Sequence, residues 1–115
     1  GQKGFVGGSM GDDAVIVEGL DTEESILTLR STVHGAGRVM GRKQAKRTIP
    51  REDMLGWVRG RGVELRGAGV DESPQAYKRL TDVLEHHSAS IRVLHTLTPV
   101  GVAMAGEHER DPYKD

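Results

Sequence analysis

Two glycine clusters, Gly7-Gly8-Ser9-Met10-Gly11 and His34-Gly35-Ala36-Gly37, constrain this chain more than any other feature. Glycine adopts positive φ and tolerates close backbone approach, so each cluster marks a place where the chain turns sharply or nears another group. Phe5-Val6 leads into the first cluster, and "DAVIVEG" (residues 13–19), with its β-branched content, follows it as a short strand. A strand, a glycine turn and a second strand would leave the N–H groups of residues 7 to 11 free to face a ligand.

The second cluster closes Ser25 to Val33, where Ile26, Thr28, Arg30 and Thr32 alternate with Leu27, Leu29, Ser31 and Val33 in a strand-like pattern. Asp21, Glu23 and Glu24 mark the loop before it. Good helix formers from Arg38 to Ile49 predict a helix that Pro50 ends. A second short helix is expected over Arg51 to Arg59, with Met54, Leu55 and Val58 on one face. "VELRG" (residues 63–67) reads as a strand. Ser73 and Pro74 suggest the start of another helix, whose buried face takes Leu80, Val83 and Leu84. Ser90 to Met104 is apolar and β-rich, with Pro99 and Gly101 marking a bulge or an edge.

These elements predict an α+β fold: a mixed sheet with glycine-rich loops and short helices. With 115 residues, 36% of them apolar and 3% aromatic, the chain can build one modest core. Residues 1–106 are expected to form the folded portion and 107–115 a polar, disordered tail. Because the chain opens at Gly1 without a capped first element, it is expected to be a piece of a longer protein. There is no cysteine, hence no disulfide, thiolate ligand or thiol nucleophile. No run approaches the ~20 apolar residues that span a bilayer, so a cytoplasmic protein without a membrane partner is expected.

The net charge of -1 hides an uneven distribution. Between Arg38 and Arg66 nine Lys or Arg stand against Glu52, Asp53 and Glu64, a local net charge of +6. Such a segment suits a phosphate-rich ligand or, equally, a solvated helix face. On the expected helix Arg38 and Arg42 share a face at i,i+4, beside the His34 turn. His34 itself has two readings. It is a histidine bonded across a tight turn, or an imidazole nucleophile towards phosphorus, surrounded by backbone amides and an arginine. "GGSMG" is likewise a phosphate or purine cradle or a hairpin turn. His86-His87 and His95 lack the companions of a metal set, so no metal ligand is assigned. Trp57 is expected to anchor the core, and Asp71 and Glu72 to open a helix.

"GGSMG", "STVHGAGR", "GVDESPQAYK" and "LTPVGVAMAG", in this order, resemble the C-terminal part of the RtcB family, GTP-dependent RNA-splicing ligases. The resemblance implies the fold of that C-terminal part. It also implies an activity: joining RNA 3′-phosphate or 2′,3′-cyclic phosphate ends to 5′-hydroxyl ends, in tRNA splicing or RNA repair. His34 would form the GMP-histidine intermediate, and Gly7, Gly8, Ser9, Met10, Gly35, Ala36 and Gly37 would contact the nucleotide. Lys114 is the candidate for a guanine-contacting lysine, and Arg38 and Arg42 for holding the RNA end or its phosphates. The chain departs from the family where a hydroxyl residue often follows GSMG, reading Asp12-Asp13-Ala14 instead. The family's cofactors, GTP and Mn2+, are implied as well, with the metal ligands in an N-terminal portion. On this reading the fragment alone would be inactive. Transfer RNA halves or broken RNA, and an activating protein such as archease, are the partners implied. The alternative is a non-catalytic RNA- or nucleotide-binding module on the same fold, or a domain whose glycine turns serve folding alone.

Overall fold

The computed structural model describes residues 1–106 together with His108 and Glu109. Lys114 and most of the 107–115 tail lie outside the described residues. Two small cores organise the chain, one under a sheet and one under helices, and the α+β expectation holds.

The sheet lobe is built on β1 (Lys3–Val6), β2 (Ala14–Gly19) and β4 (Ile91–Leu97), antiparallel in the order β1-β2-β4. In β2 the alternation places Val15 and Val17 on one face, where they are buried with Val6, Ile91, Ala36 and Leu80. A register shift between Ile16 and Val17 pairs them with His95 and Val93, so β4 carries an extra residue there.

The helical lobe holds α2 (Arg42–Thr48) and α3 (Arg51–Gly60). Pro50 precedes α3, Glu52 and Asp53 occupy its first turn and Arg59 its last, an arrangement that suits the helix dipole. Met54 and Val58, four residues apart, are fully buried among Met10, Ala45, Ile49, Val63 and Val70. Burying one such side chain contributes roughly 1.5–3 kcal/mol. Trp57 packs against this cluster, as expected of a core anchor. β3 (Glu64–Arg66) pairs in parallel with β5 (Gly101–Ala103), a sheet of its own.

Four local expectations are corrected. Residues 25–33 do not form a strand: Glu23–Leu27 is a short helix, α1, followed by turns. Its cause is a reciprocal cap in which the Ser25 N–H donates to Thr22 Oγ1 (3.1 Å) and the Thr22 N–H to Ser25 Oγ (3.0 Å). The helix expected from Arg38 begins only at Arg42, because Arg38 instead forms an antiparallel bridge with Tyr77, flanked by backbone hydrogen bonds between residues 37 and 78 and between 39 and 76. The helix expected at Pro74 is replaced by 3-10 turns at Val70–Glu72 and Pro74–Ala76, and α4 starts at Leu80 and ends at Glu85. Ser73 caps nothing there, since its hydroxyl donates to the Val70 carbonyl (2.6 Å). Finally, Ser90 to Met104 divides between two sheets, broken at Thr98–Val100 beside Pro99.

Candidate active site

The two glycine clusters meet. Gly7, at the end of β1, forms a parallel bridge with Gly35, and Ala36 is buried in the sheet-lobe core just beyond it. The segment after β1 and the segment carrying His34 therefore run side by side. Within the first cluster the backbone is enclosed: a Cβ at Gly8 would stand 2.7 Å from the Asp13 carbonyl oxygen. Ser9 is partly buried, and its carbonyl accepts from the Asp12 N–H at 3.0 Å. Met10 is buried in the helical-lobe core, which fixes the loop between the lobes.

Asp12, where the family's hydroxyl residue was expected, is buried and does structural work. Its carboxylate accepts from the Leu80 N–H at 3.1 Å and from the Arg79 guanidinium at 3.3 and 3.4 Å. Arg79 and Arg61 each stand 5.4 Å from the Trp57 ring, and Arg61 Nε donates to the Gly11 carbonyl. The glycine loop is thus tied to α4 and to α3 by charge and by aromatic contact.

His34 is exposed at the rim of an open cleft of about 770 Å3. Gly35, Ala36 and Gly37 line it together with Lys78 and Arg79 before α4, Asp82 on it, and His86 and His87 just after it. Gly37 has φ +84°, a conformation that favours glycine. The size falls within the range of small-molecule sites. Three histidines, His34, His86 and His87, and two cations, Lys78 and Arg79, stand with Asp82 in this one concavity. Gly7, Gly8, Ser9 and Met10, expected to contact a nucleotide, do not line it.

Arg38 and Arg42 do not share a helix face, and neither lines the cleft. They converge behind the His34 loop on residues 71–77. Arg38 donates to the Asp71 carbonyl (2.6 Å), the Tyr77 hydroxyl (3.0 Å) and the Met40 carbonyl (2.9 Å), and its guanidinium stacks 4.8 Å from the Tyr77 ring centre. Arg42 bonds Asp71 at 3.1 Å and Glu72 more closely. The Tyr77 hydroxyl in turn donates to Glu72 at 2.7 Å. Burial pushes the Tyr77 phenol above its ordinary value, and the neighbouring Glu72 carboxylate adds to that shift.

Sequence reasoning missed the rest of the cleft's lining. The sequence reading of His86 and His87 goes no further than denying them a metal, and nothing local singles out Lys78, Arg79 or Asp82, since only the fold carries them to the cleft of His34. Among the described residues no group of three or more His, Cys, Asp or Glu could hold a metal ion, so they do not fit a manganese centre. Nor is any helix among them long and apolar enough to cross a membrane.

With this geometry in place, likeness to known proteins becomes informative. The family described as RtcB, tRNA-splicing ligase, matches residues 1–105. The chain is similar to a protein of Escherichia coli K12 named RNA-splicing ligase RtcB, with 39% identity over 100 residues, 87% of this chain and 24% of that protein. The same figures hold for a protein of Escherichia coli ATCC 25922 named RNA-splicing ligase RtcB1. The chain thus spans about a quarter of the length of these relatives.

Proposed function

Because this chain belongs to the RtcB family, we propose that it carries the guanylate-accepting part of an RNA ligase, with His34 as the nucleophile. The observation that supports this most is the Gly7–Gly35 bridge, which sets the two glycine clusters side by side and leaves His34 exposed on the cleft.

In the proposed reaction an imidazole nitrogen lone pair of His34 attacks the α-phosphorus of GTP. The bond to the bridging oxygen breaks, pyrophosphate leaves with that electron pair, and the ring loses its remaining N–H proton to restore neutrality. An RNA 3′-phosphate oxygen then attacks the same phosphorus, the N–P bond breaks and GMP passes to the RNA end. The 5′-hydroxyl of the second strand displaces GMP and closes the phosphodiester. Gly35, Ala36 and Gly37 let the nucleotide approach the backbone, with Gly7 held against them. For Arg38 and Arg42 the bonding supports a positioning part: they lock the segment after His34 onto residues 71–77. Manganese is assigned no ligand in these residues, and RNA halves, broken RNA and an archease-type activator remain partners of the complete ligase.

Labelled GTP with a manganese salt tests the reading in the full-length ligase carrying this sequence. Wild type is expected to retain label through denaturation, and His34→Ala to retain none. Equal labelling of the two would remove His34 from the nucleophile role.

A further inference from the structure

The cleft asks which group meets the negative charge that arrives beside His34. Three cationic side chains were candidates by position. Arg38 and Arg42 face away, and their guanidinium groups bond Asp71, Glu72 and Tyr77. Arg79 lines the cleft, but its charge is already set against the buried Asp12 carboxylate and the Trp57 ring. Lys78 differs from all three. It is exposed, it lines the cleft together with His34, and its ammonium has no hydrogen bond or ion pair among the described residues.

Its position is nevertheless fixed. The Lys78 N–H donates to the Gly37 carbonyl at 2.9 Å, and next to it the Val39 N–H donates to the Ala76 carbonyl at 2.8 Å. Tyr77, between them, bridges Arg38. Backbone registration therefore holds Lys78 across from the residues that follow His34, while the side chain remains free to reach an incoming group. A short pinned backbone bearing an unpaired ammonium is a suitable donor to phosphate oxygens: a point charge with three rotatable N–H groups.

We propose that Lys78 is the phosphate-binding cation of the His34 cleft, placing its ammonium on non-bridging oxygens of the phosphoryl group that bonds to His34 or approaches it. The inference rests on the guanylate reading above. Lys78 keeps its protons throughout. As the bond between His34 and phosphorus forms and the bond to pyrophosphate breaks, it acts by charge alone, opposing the negative charge that gathers on the equatorial oxygens. The same ammonium would meet the dianionic 3′-phosphate of RNA in the second step, so nucleotide and RNA end share one chemistry.

Two arms separate those sources in the full-length ligase: the rate of self-labelling from labelled GTP, and the rate at which isolated labelled enzyme discharges onto an RNA 3′-phosphate. Lys78→Ala is expected to slow at least one arm on the order of a hundredfold. Slowing of the first alone assigns Lys78 to the nucleotide, of the second alone to the RNA end, and of both to the shared position. Lys78→Arg should recover most of the rate, and Lys43→Ala, an exposed change on α2, should leave both arms unchanged. Wild-type rates for Lys78→Ala in both arms, with label still dependent on His34, would overturn the assignment and leave the guanylate reading intact. Label on His34→Ala would instead overturn that reading. Thermal unfolding of Lys78→Ala that matches wild type makes any slowing a ligand effect, whereas slowing that Lys78→Arg fails to recover would count against a charge-based role.

Discussion

Arg38 and Lys78 sit on two short stretches of backbone hydrogen-bonded to each other, yet they stand in opposite circumstances. Every end of the Arg38 guanidinium is occupied by the chain itself, in company with Arg42, Asp71, Glu72 and Tyr77. The Lys78 ammonium has no partner among the described residues, and Lys78 lines the cleft. The contrast separates cations that build the site from a cation available to a ligand. A basic stripe read from sequence does not make that distinction. Removing a member of the first set should cost folding stability; removing Lys78 should not.

The strongest way to break the comparison is Arg42→Ala. Asp71 and Glu72 have side chains only 5% and 13% exposed, and without Arg42 they lose a close cation. A loss of about 3–5 kcal/mol in chemical unfolding is expected; under 1 kcal/mol would show that the pairing does not support the fold. Arg38→Lys comes next, at roughly 1.5–3 kcal/mol, because an ammonium cannot reproduce a planar fork reaching three oxygens. Wild-type stability would show that charge alone is needed there.

Tyr77→Phe removes the hydroxyl that joins Glu72 to Arg38 and should cost about 1 kcal/mol. It also sharpens the comparison through pH. Because the folded phenol titrates above its ordinary value, its contribution is fully present below the unfolded value and is lost as pH rises through the folded one. Wild type should therefore lose more stability than Tyr77→Phe above about pH 10; parallel alkaline unfolding curves would place Tyr77 outside the network. The smallest stability effect belongs to Lys78→Ala, within about 0.5 kcal/mol of wild type. A larger loss in the melting curve would return Lys78 to the structural set.

The sequence made β2, α3 and β3 legible because local signals agreed with tertiary context there. Val15 and Val17 alternate into a core, Met54 and Val58 recur at helical spacing, and Pro50 sets a boundary. Residues 25–33 misled for the converse reason. Ile26, Leu27 and Leu29 are all exposed, so their apolar character reflects no buried face, while the decisive signal was the polar pair Thr22 and Ser25. The start of α2 was illegible because what holds Arg38 out of the helix lies 33 and 39 residues away, at Asp71 and Tyr77. At the site the glycine clusters were readable as places of close approach. That they approach each other, and that residues on and beside α4 line the same cleft, required the fold.

Met10 carries a consequence for recognition. Its side chain is held in the helical core while Gly7, three residues earlier, is held by Gly35 on the sheet side. The intervening backbone is held between two anchors made by the fold itself. The conformational entropy lost in shaping this loop is therefore lost when the chain folds, and little of it has to be lost again at encounter. Loosening the anchor, as Met10→Gly would, frees the segment that holds Gly35 beside the cleft, and part of that ordering would then fall on the proposed binding step.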